Sequence, residues 1–236
     1  MEFAAADHGL VFGSNAPGYT RSSGLHMSTI YNDLYGKLYP KKYATDGPMP
    51  TEKWEAGMIW EEQLEAGFKA RPGLAEVAWR PGESRTTHEI DCPCGDTPLT
   101  DDIGICPCCG AIAVAYSPDL IISNGSTKLG EIKLTWYSCR YAPISKGQAE
   151  AVGRPDLFNG REEWDGRIDK WFTQIKAYCY HQRLLEARLI VLFINGNYTP
   201  PSPVPLAWDL QFTQRELDEE WTMLKNHAVA QGLVKR

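Results

Sequence analysis

The sequence lacks the long apolar runs from which membrane-spanning helices are built. Its longest uninterrupted apolar stretch, Leu189 to Ile194, has six residues, whereas a helix needs roughly 20 to cross a bilayer. A basic region followed by an apolar region, the mark of a secretory signal, is also missing from the first thirty residues. We therefore expect a cytoplasmic protein with no membrane partner.

Repeats and an excess of basic residues are missing as well. The sequence has no sustained heptad and no internal repeat, which excludes a coiled coil and a repeat protein. With 24 Lys and Arg against 30 Asp and Glu, the net charge of −6 argues against a nonspecific nucleic-acid coat. It does not exclude a nuclease, because carboxylates that hold a divalent metal lower the net charge while the binding surface stays locally basic.

Helix and strand patterns fill most of the chain, and apolar residues, 43% of the 236, suffice for a core. Residues 1–26 have no periodicity and are interpreted as a flexible N-terminal arm. Helices are predicted at 28–38 with Ser28 as cap, at 52–70, at 167–187, and from Thr213, where Glu216 completes a capping box. Strands are predicted at 74–80, 85–90, 111–116, 119–123, 128–136, 188–195 and 206–212, the first five as an antiparallel meander. We expect an α/β fold of the α+β kind, a mixed sheet flanked by helices.

One carboxylate stands on the apolar face of the second predicted helix. Glu61 follows Gly57 by four residues and precedes Leu64 by three, so it lies on the inward stripe. A buried carboxylate is costly unless another group pairs with it. Glu61 therefore either reaches solvent or forms a salt bridge, or it belongs to a functional site.

Two neighbouring strands carry a second group of charged residues. Asp119 begins one strand, and Glu131-Ile132-Lys133 lies in the next. Because side chains alternate along a strand, Glu131 and Lys133 share one face and Ile132 points to the other. A two-residue loop, Asn124-Gly125, would put Asp119 and Glu131 on opposite faces, whereas a three-residue loop, 124–126, pairs them directly. We predict the second register.

Two opposed carboxylates repel each other unless a hard cation such as Mg²⁺ lies between them. Lys133 would then hold or deprotonate a water against a phosphate. This is the outline of a phosphodiester-hydrolysis site in which the metal acts as Lewis acid and nucleophile generator. The same spacing also occurs by chance on a solvated strand face, so both interpretations stay open here.

Four short motifs resemble those of a known enzyme family. Pro118-Asp119 and Glu131-Ile132-Lys133 resemble the signature of the PD-(D/E)XK nucleases. Gly57-x-x-x-Glu61 and the Gln174-x-x-x-Tyr178 pair are similar to motifs of the branch that contains the RecB nuclease domain and phage lambda-type exonucleases. The resemblance spans roughly residues 28 to 224, and the order of helix, strands, helix and strand also fits.

The resemblance implies a restriction-endonuclease-like core within a domain of residues 27–236. It implies that three oxygen groups coordinate Mg²⁺ or Mn²⁺: Asp119, Glu131 and the Ile132 carbonyl. The resemblance further implies that Glu61 is an outer or second-metal ligand and that Lys133 positions water and stabilises charge. It implies that Gln174 and Tyr178 orient the lysine, water or phosphate. Basic residues near these elements are candidate phosphate contacts: Arg80, Arg85, Lys128, Arg140, Lys170 and Lys176.

Five of the seven cysteines fall between Cys92 and Cys109, which in a chain without an export signal predicts metal binding before disulfides. The stretch 106–110 matches a zinc-ribbon knuckle, and 92–95 is one residue shorter than such a knuckle. We predict that an insert at 88–110 holds a structural Zn²⁺ through four thiolates, Cys92, Cys94, Cys106 and Cys109, with His88 or Cys108 as substitutes. An iron–sulfur cluster and free or disulfide-bonded thiols are the alternatives. Cys139 and Cys179 are interpreted as small buried residues.

Three functions follow from these observations. The first is a metal-dependent DNA nuclease, an exonuclease of the recombination type found in phages or mobile elements, which would act in the cytoplasm of a bacterial host. The second is a structure-specific or restriction-like endonuclease. The third is a zinc-ribbon module on a nuclease fold that binds nucleic acid or protein without catalysis. DNA is the expected partner, and a homo-oligomer or a recombination partner protein stays open.

Overall fold

The computed structural model describes about half of the chain. The described residues are 25–40, 57, 59–61, 63, 64, 66, 67, 76–79, 84–86, 112, 114–136, 166–195 and 203–234. Nearly all of the predicted arm and the whole cysteine insert at 88–110 lie outside them.

The described elements begin and end with a helix, and a third helix separates five strands from the last two. In chain order they are α1 Met27–Leu38, β1 Glu76–Trp79, β2 Ser84–Thr86, β3 Val114–Tyr116, β4 Leu120–Asn124, β5 Ser126–Thr135, α2 Gly166–Gln182, β6 Glu186–Phe193, β7 Val204–Gln211 and α3 Gln214–Ala230. The described residues between 57 and 67 are also helical. None of the helices in the described ranges is long and apolar enough to span a membrane.

Five strands form one mixed sheet in the order β1-β4-β5-β6-β7. The β5–β6 pair is parallel, because α2 carries the chain back between them, and the other three pairs are antiparallel. The predicted α/β architecture with a mixed sheet and flanking helices is confirmed.

The predicted meander of the first five strands is only partly correct. β1 pairs with β4 rather than with β2, and β2 and β3 form a separate two-stranded ladder. The physical reason lies at β3, where the Ala115 N–H donates to the Leu25 carbonyl at 2.8 Å. This contact joins β3 to the chain just before α1, away from the large sheet.

Two helix boundaries differ from the prediction. α1 begins after His26, whose side chain makes no capping hydrogen bond, so Ser28 is not the cap. α2 ends at Gln182 because Arg183 adopts a left-handed backbone with φ 56° and the Leu184 N–H closes the turn on the Cys179 carbonyl at 3.0 Å. Of the predicted continuation to residue 187, residues 183–185 form the turn, and Glu186 and Ala187 belong to β6.

The last helix, α3, agrees with its prediction in detail. The Thr213 side chain accepts from the Glu216 N–H, and the Glu216 carboxylate accepts from the Thr213 N–H, which completes the capping box. Its predicted apolar stripe of Leu217, Trp221 and Leu224 is buried.

Within the part of the chain that the structure describes, the sheet separates two apolar clusters. α1, α2 and α3 share the larger cluster, into which β5 and β6 direct Leu129, Leu189 and Val191. On the opposite face, Leu120, Ile122 and Ile132 pack together with Leu64 of the helical segment at 57–67. Alternation along β5 thus sends Ile132 to one cluster and its two neighbours, Glu131 and Lys133, toward the helices.

A glycine allows the close packing of β4 on β5. A Cβ atom at Gly130 would lie closer than 3.0 Å to Leu120 Cγ and Cδ1 and 3.3 Å from Ile122 Cδ1. Only glycine leaves room for the Leu120 side chain over this strand, immediately before Glu131.

Candidate active site

The turn between β4 and β5 sets the register that the site needs. Leu120 pairs with Gly130, and Asn124 pairs with Ser126 around Gly125, which has a left-handed φ of 76°. Continued by one residue, this register places Asp119 opposite Glu131. The predicted register, which aligns the two carboxylates, is confirmed, and Asn124 and Ser126 of the predicted three-residue loop pair as the last strand residues on either side of Gly125.

Asp119 stands where the regular ladder stops. The Ile132 N–H donates to Asp119 Oδ2 at 2.7 Å, so a side-chain carboxylate replaces a backbone carbonyl as its acceptor. In this register Pro118 lies opposite Ile132, and proline has no N–H to give to the Ile132 carbonyl. Since the N–H and C=O of one strand residue point the same way, the Ile132 carbonyl is directed to the side on which Asp119 lies.

Glu131 is fully buried at the centre of the sheet face that carries α2. One carboxylate oxygen, Oε1, accepts from the Lys133 ammonium and from Gln174 Nε2, the latter at 2.5 Å. The other oxygen, Oε2, is buried and has no hydrogen-bond partner in the described part of the chain. A buried carboxylate oxygen without a donor costs free energy, and it is the position at which a cation would fit.

The position of Gln174 is held by contacts of α2 with both other helices. Thr173, one residue earlier, shares a hydrogen bond of 3.0 Å with the Tyr35 hydroxyl of α1. The Thr173 hydroxyl also donates to Glu220 of α3 at 2.5 Å. These contacts fix the rotation of α2 and with it the direction of the Gln174 amide.

The electrostatics of Glu131 favour a positive partner. Burial, and then the nearby Asp119 carboxylate, raise the pKa of Glu131 to about 8, while Lys133 acts in the opposite direction. Like-charged carboxylates in one site compete for ionisation unless a cation neutralises them. The pair therefore has the charge and the hard oxygen donors of a divalent-cation site.

Lys133 keeps its proton in this environment. Burial alone would lower the pKa of the ammonium, but the Glu131 and Asp119 carboxylates outweigh burial and the net pKa is raised. Lys133 is thus suited to donate hydrogen bonds and to stabilise negative charge, and unsuited to remove a proton from water near neutral pH.

Tyr178 extends the network, and Tyr31 is a member that the sequence did not indicate. Tyr178 hydrogen-bonds with Gln174, and Tyr31 of α1 hydrogen-bonds with Tyr178. Burial raises the pKa of Tyr31 to about 12 and that of Tyr178 well above its usual value, so both phenols stay neutral. The only available signal for Tyr31 was a tyrosine next to Ile30 on the inward stripe of α1, a pattern that core residues share.

Glu61 lies near this group without joining it as a third close ligand. It is helical and partly buried, and its charge acts on Glu131 by raising the pKa of that carboxyl. Among the residues that the structure describes, no three His, Cys, Asp or Glu side chains are close enough to enclose a metal ion. An outer or second-ion role for Glu61 stays a prediction.

The structure separates the candidate phosphate contacts. Lys128 lies on the opposite sheet face from Glu131, 3.4 Å from Asp209, and Lys176 lies 3.2 Å from Glu220 on α3. These two predictions are not supported by the geometry. Lys170 lies beside Tyr31, within electrostatic reach of Lys133. Arg80, Arg140 and the side chain of Arg85 lie outside the described residues.

The predicted zinc ligands lie outside the described residues too: His88, Cys92, Cys94, Cys106, Cys108 and Cys109. The same holds for Cys139. Cys179 is described, and it is a free, fully buried thiol whose pKa burial raises to about 12. Its interpretation as a small buried residue is confirmed.

Comparison with known proteins adds little to this geometry. The chain matches no protein-family model and none of the curated proteins compared with it. Among solved structures, it is similar to the crystal structure of a protein designated SSO0001, with 10% sequence identity and a TM-score of 0.42 over 88% of this chain and 77% of that chain.

Proposed function

We propose that this chain is a metal-dependent DNA nuclease with a restriction-endonuclease-like core of the PD-(D/E)XK type. The observation that supports this most is the buried Glu131 carboxylate. Asp119 lies opposite it, the Lys133 ammonium donates to its Oε1 atom, and its Oε2 atom has no donor among the described residues. This arrangement is costly on its own and suits a bound divalent cation.

The oxygen donors present fit Mg²⁺ or Mn²⁺. Mg²⁺ in phosphate-processing sites is commonly held by one or two carboxylates and keeps several waters. Asp119, Glu131 and the Ile132 carbonyl would hold it here. When bound, such an ion supplies Lewis-acid polarisation of the phosphate and a more acidic water.

The surrounding residues have separate tasks in this proposal. Lys133, which stays protonated, donates to the attacking water or to a phosphate oxygen and stabilises the negative charge of the transition state. Gln174 occupies Glu131 Oε1 and so leaves Oε2 for the cation. Tyr178 and Tyr31 complete the hydrogen-bonded chain that holds the Gln174 amide in this orientation.

An exonuclease is favoured over an endonuclease by the order of the elements. The helical segment with Gly57 and Glu61, then β1, β4, β5, α2 and β6, follow the order that the RecB and lambda-type branch has. The Gln174-x-x-x-Tyr178 pair, typical of that branch, is in contact with the carboxylate site.

Digestion of linear and covalently closed circular DNA with Mg²⁺ or Mn²⁺ tests this function. Asp119→Asn keeps an oxygen acceptor for the Ile132 N–H but removes the charge, and Lys133→Ala removes the ammonium. Asp209→Asn, on the opposite sheet face, is the matched control. We expect the first two variants to lose at least about 100-fold in rate, since even groups that only support metal ligands cost 10–100-fold, and the control to keep its activity.

Each result has a clear meaning. Loss of linear DNA with intact circles supports an exonuclease, and nicked or cut circles support an endonuclease instead. Wild-type protein that degrades neither substrate with either metal would contradict the proposal. So would equal activity of Asp119→Asn and Asp209→Asn.

A further inference from the structure

One carboxylate of α3 holds two side chains of α2, outside the four sequence motifs. The hydroxyl of the buried Thr173 donates to Glu220 Oε1 at 2.5 Å. The other oxygen of the same carboxylate, Oε2, accepts from the Lys176 ammonium at 3.2 Å. Both oxygens of Glu220 thus accept hydrogen bonds from α2, and none of these three residues has a task in the chemistry proposed above.

The spacing of the two donors makes this contact a restraint on α2. Thr173 and Lys176 are three residues apart, so they lie on one helix face, about one turn from each other. A carboxylate that contacts both residues limits the rotation and the tilt of α2 against α3. The contact with α1 is directional as well. Because the single hydroxyl hydrogen of Thr173 is given to Glu220, the Tyr35 hydroxyl, 3.0 Å away, is the donor to Thr173.

The restraint lies next to the residue that contacts the carboxylate site. Gln174 follows Thr173 and projects about 100° further round the helix. Its Nε2 atom donates to Glu131 Oε1 at 2.5 Å, and Glu131 Oε2 has no donor among the described residues. At about 6 Å from the helix axis, a rotation of about 10° moves a side-chain atom by about 1 Å. A shift of this size is enough to take the Gln174 amide out of hydrogen-bond range.

We propose that Glu220 is a positioning residue of the candidate active site. By holding α2 at Thr173 and Lys176, it directs the Gln174 amide to Glu131 Oε1, which leaves Oε2 to the cation. This inference rests on the proposed nuclease function. It also gives Lys176 a task other than the phosphate contact expected from the sequence, since its ammonium is the second point at which Glu220 holds the helix.

Binding of Mn²⁺ to the protein without DNA, measured by isothermal titration calorimetry, tests this role. Gln174→Ala removes a group in direct contact with a proposed metal ligand and should weaken binding about 10–100-fold. Glu220→Gln keeps one oxygen acceptor but loses the charge and the second acceptor. Because Glu220 acts one contact further from the ligand, Glu220→Gln should weaken binding by less, about three- to tenfold.

The double variant shows whether Glu220 acts through Gln174. Gln174→Ala combined with Glu220→Gln should bind Mn²⁺ within about twofold of Gln174→Ala alone, because the group that Glu220 positions is already gone. A general weakening of the fold would instead cost the same factor in both backgrounds.

The hydroxyl of Thr173 provides a second pair of variants. Thr173→Val removes the hydroxyl at nearly constant volume and should weaken Mn²⁺ binding about as much as Glu220→Gln does. Thr173→Ser keeps a hydroxyl that can donate to Glu220, so it should keep an affinity close to that of the wild type.

The matched control is Glu219→Gln, at the preceding position of α3. It removes the same charge from an exposed carboxylate that is paired with Arg215 at 2.7 Å. Its Mn²⁺ affinity should equal that of the wild type. All variants are compared at a temperature at which circular dichroism shows each of them to be folded.

Failure of this inference can be told apart from failure of the nuclease function. If the wild-type protein neither binds Mn²⁺ nor digests DNA, both are wrong. If the wild type does both and Glu220→Gln keeps the wild-type affinity, the positioning role alone is wrong. Losses that multiply in the double variant would also overturn it, because Glu220 would then act independently of Gln174.

Discussion

Replacing Gly130 with alanine should destabilise the sheet through a single identifiable collision. The new Cβ would lie closer than 3.0 Å to Leu120 Cγ and Cδ1, whereas carbon atoms in contact prefer about 3.5–4.0 Å. Overpacking of this kind costs about 1–3 kcal/mol. Because Gly130 precedes Glu131, a displacement of β5 also moves the carboxylate.

The Leu120 side chain provides the internal test. Leu120→Ala alone removes the colliding atoms and leaves a cavity, at a cost of about 2–5 kcal/mol. In the double variant the alanine methyl at position 130 enters the space that Leu120 has left. The double variant should therefore be more stable than the sum of the two single losses predicts, by about 1–3 kcal/mol.

Urea denaturation of the four proteins, followed by tryptophan fluorescence, measures these free energies. At a typical slope of about 1–3 kcal/mol per molar urea, a loss of 2 kcal/mol lowers the midpoint by roughly 0.7–2 M. The slope itself should stay constant. Losses that add within about 0.5 kcal/mol would refute the collision with Leu120 as the reason for glycine at this position.

Three further predictions concern the site and the insert. Pro118→Ala supplies an N–H opposite the Ile132 carbonyl, so it should weaken Mn²⁺ binding severalfold while stability stays nearly constant. Isothermal titration calorimetry measures this binding, and an unchanged affinity would exclude that carbonyl as a ligand. Burial raises the pKa of Glu131 from 4.5 to about 8, so stability linked to this proton is fully present below about pH 4.5 and is lost as the pH rises through 8. In EDTA, the free energy of unfolding of the wild type should therefore fall by up to roughly 4 kcal/mol more than that of Glu131→Gln between pH 5 and pH 9. Parallel pH profiles of the two proteins would contradict this. Metal analysis of the purified protein should find about one zinc per chain, and a brown preparation that contains iron would favour a cluster instead.

Local rules predicted the part of the site that lies on adjacent strands. Side-chain alternation placed Glu131 and Lys133 together, the loop length fixed the register of Asp119, and helical spacing paired Gln174 with Tyr178. Each of these relations depends on residues a few positions apart or on one tight turn. The sequence therefore contains the necessary information directly.

The errors concern relations between distant segments. Nothing local to β1 shows that it pairs with β4 and not with β2, since β2 pairs with β3, and β3 contacts Leu25 far earlier in the chain. Tyr31 was missed because its partner Tyr178 is far away in sequence. The end of α2 was placed too late because residues 184–187 continue a helix-like pattern, while one left-handed residue, Arg183, turns the chain into β6.

The contacts of α1 show how early in the chain the support of the candidate site begins. Tyr31 belongs to the chain of side chains that reaches Glu131, and the Leu25 carbonyl anchors β3. A shortened protein that starts after residue 40 would keep every residue of the four sequence motifs and still lose the support of its carboxylate site. A fragment that retains the proposed activity should therefore include Leu25, some thirty residues before the first motif residue, Gly57.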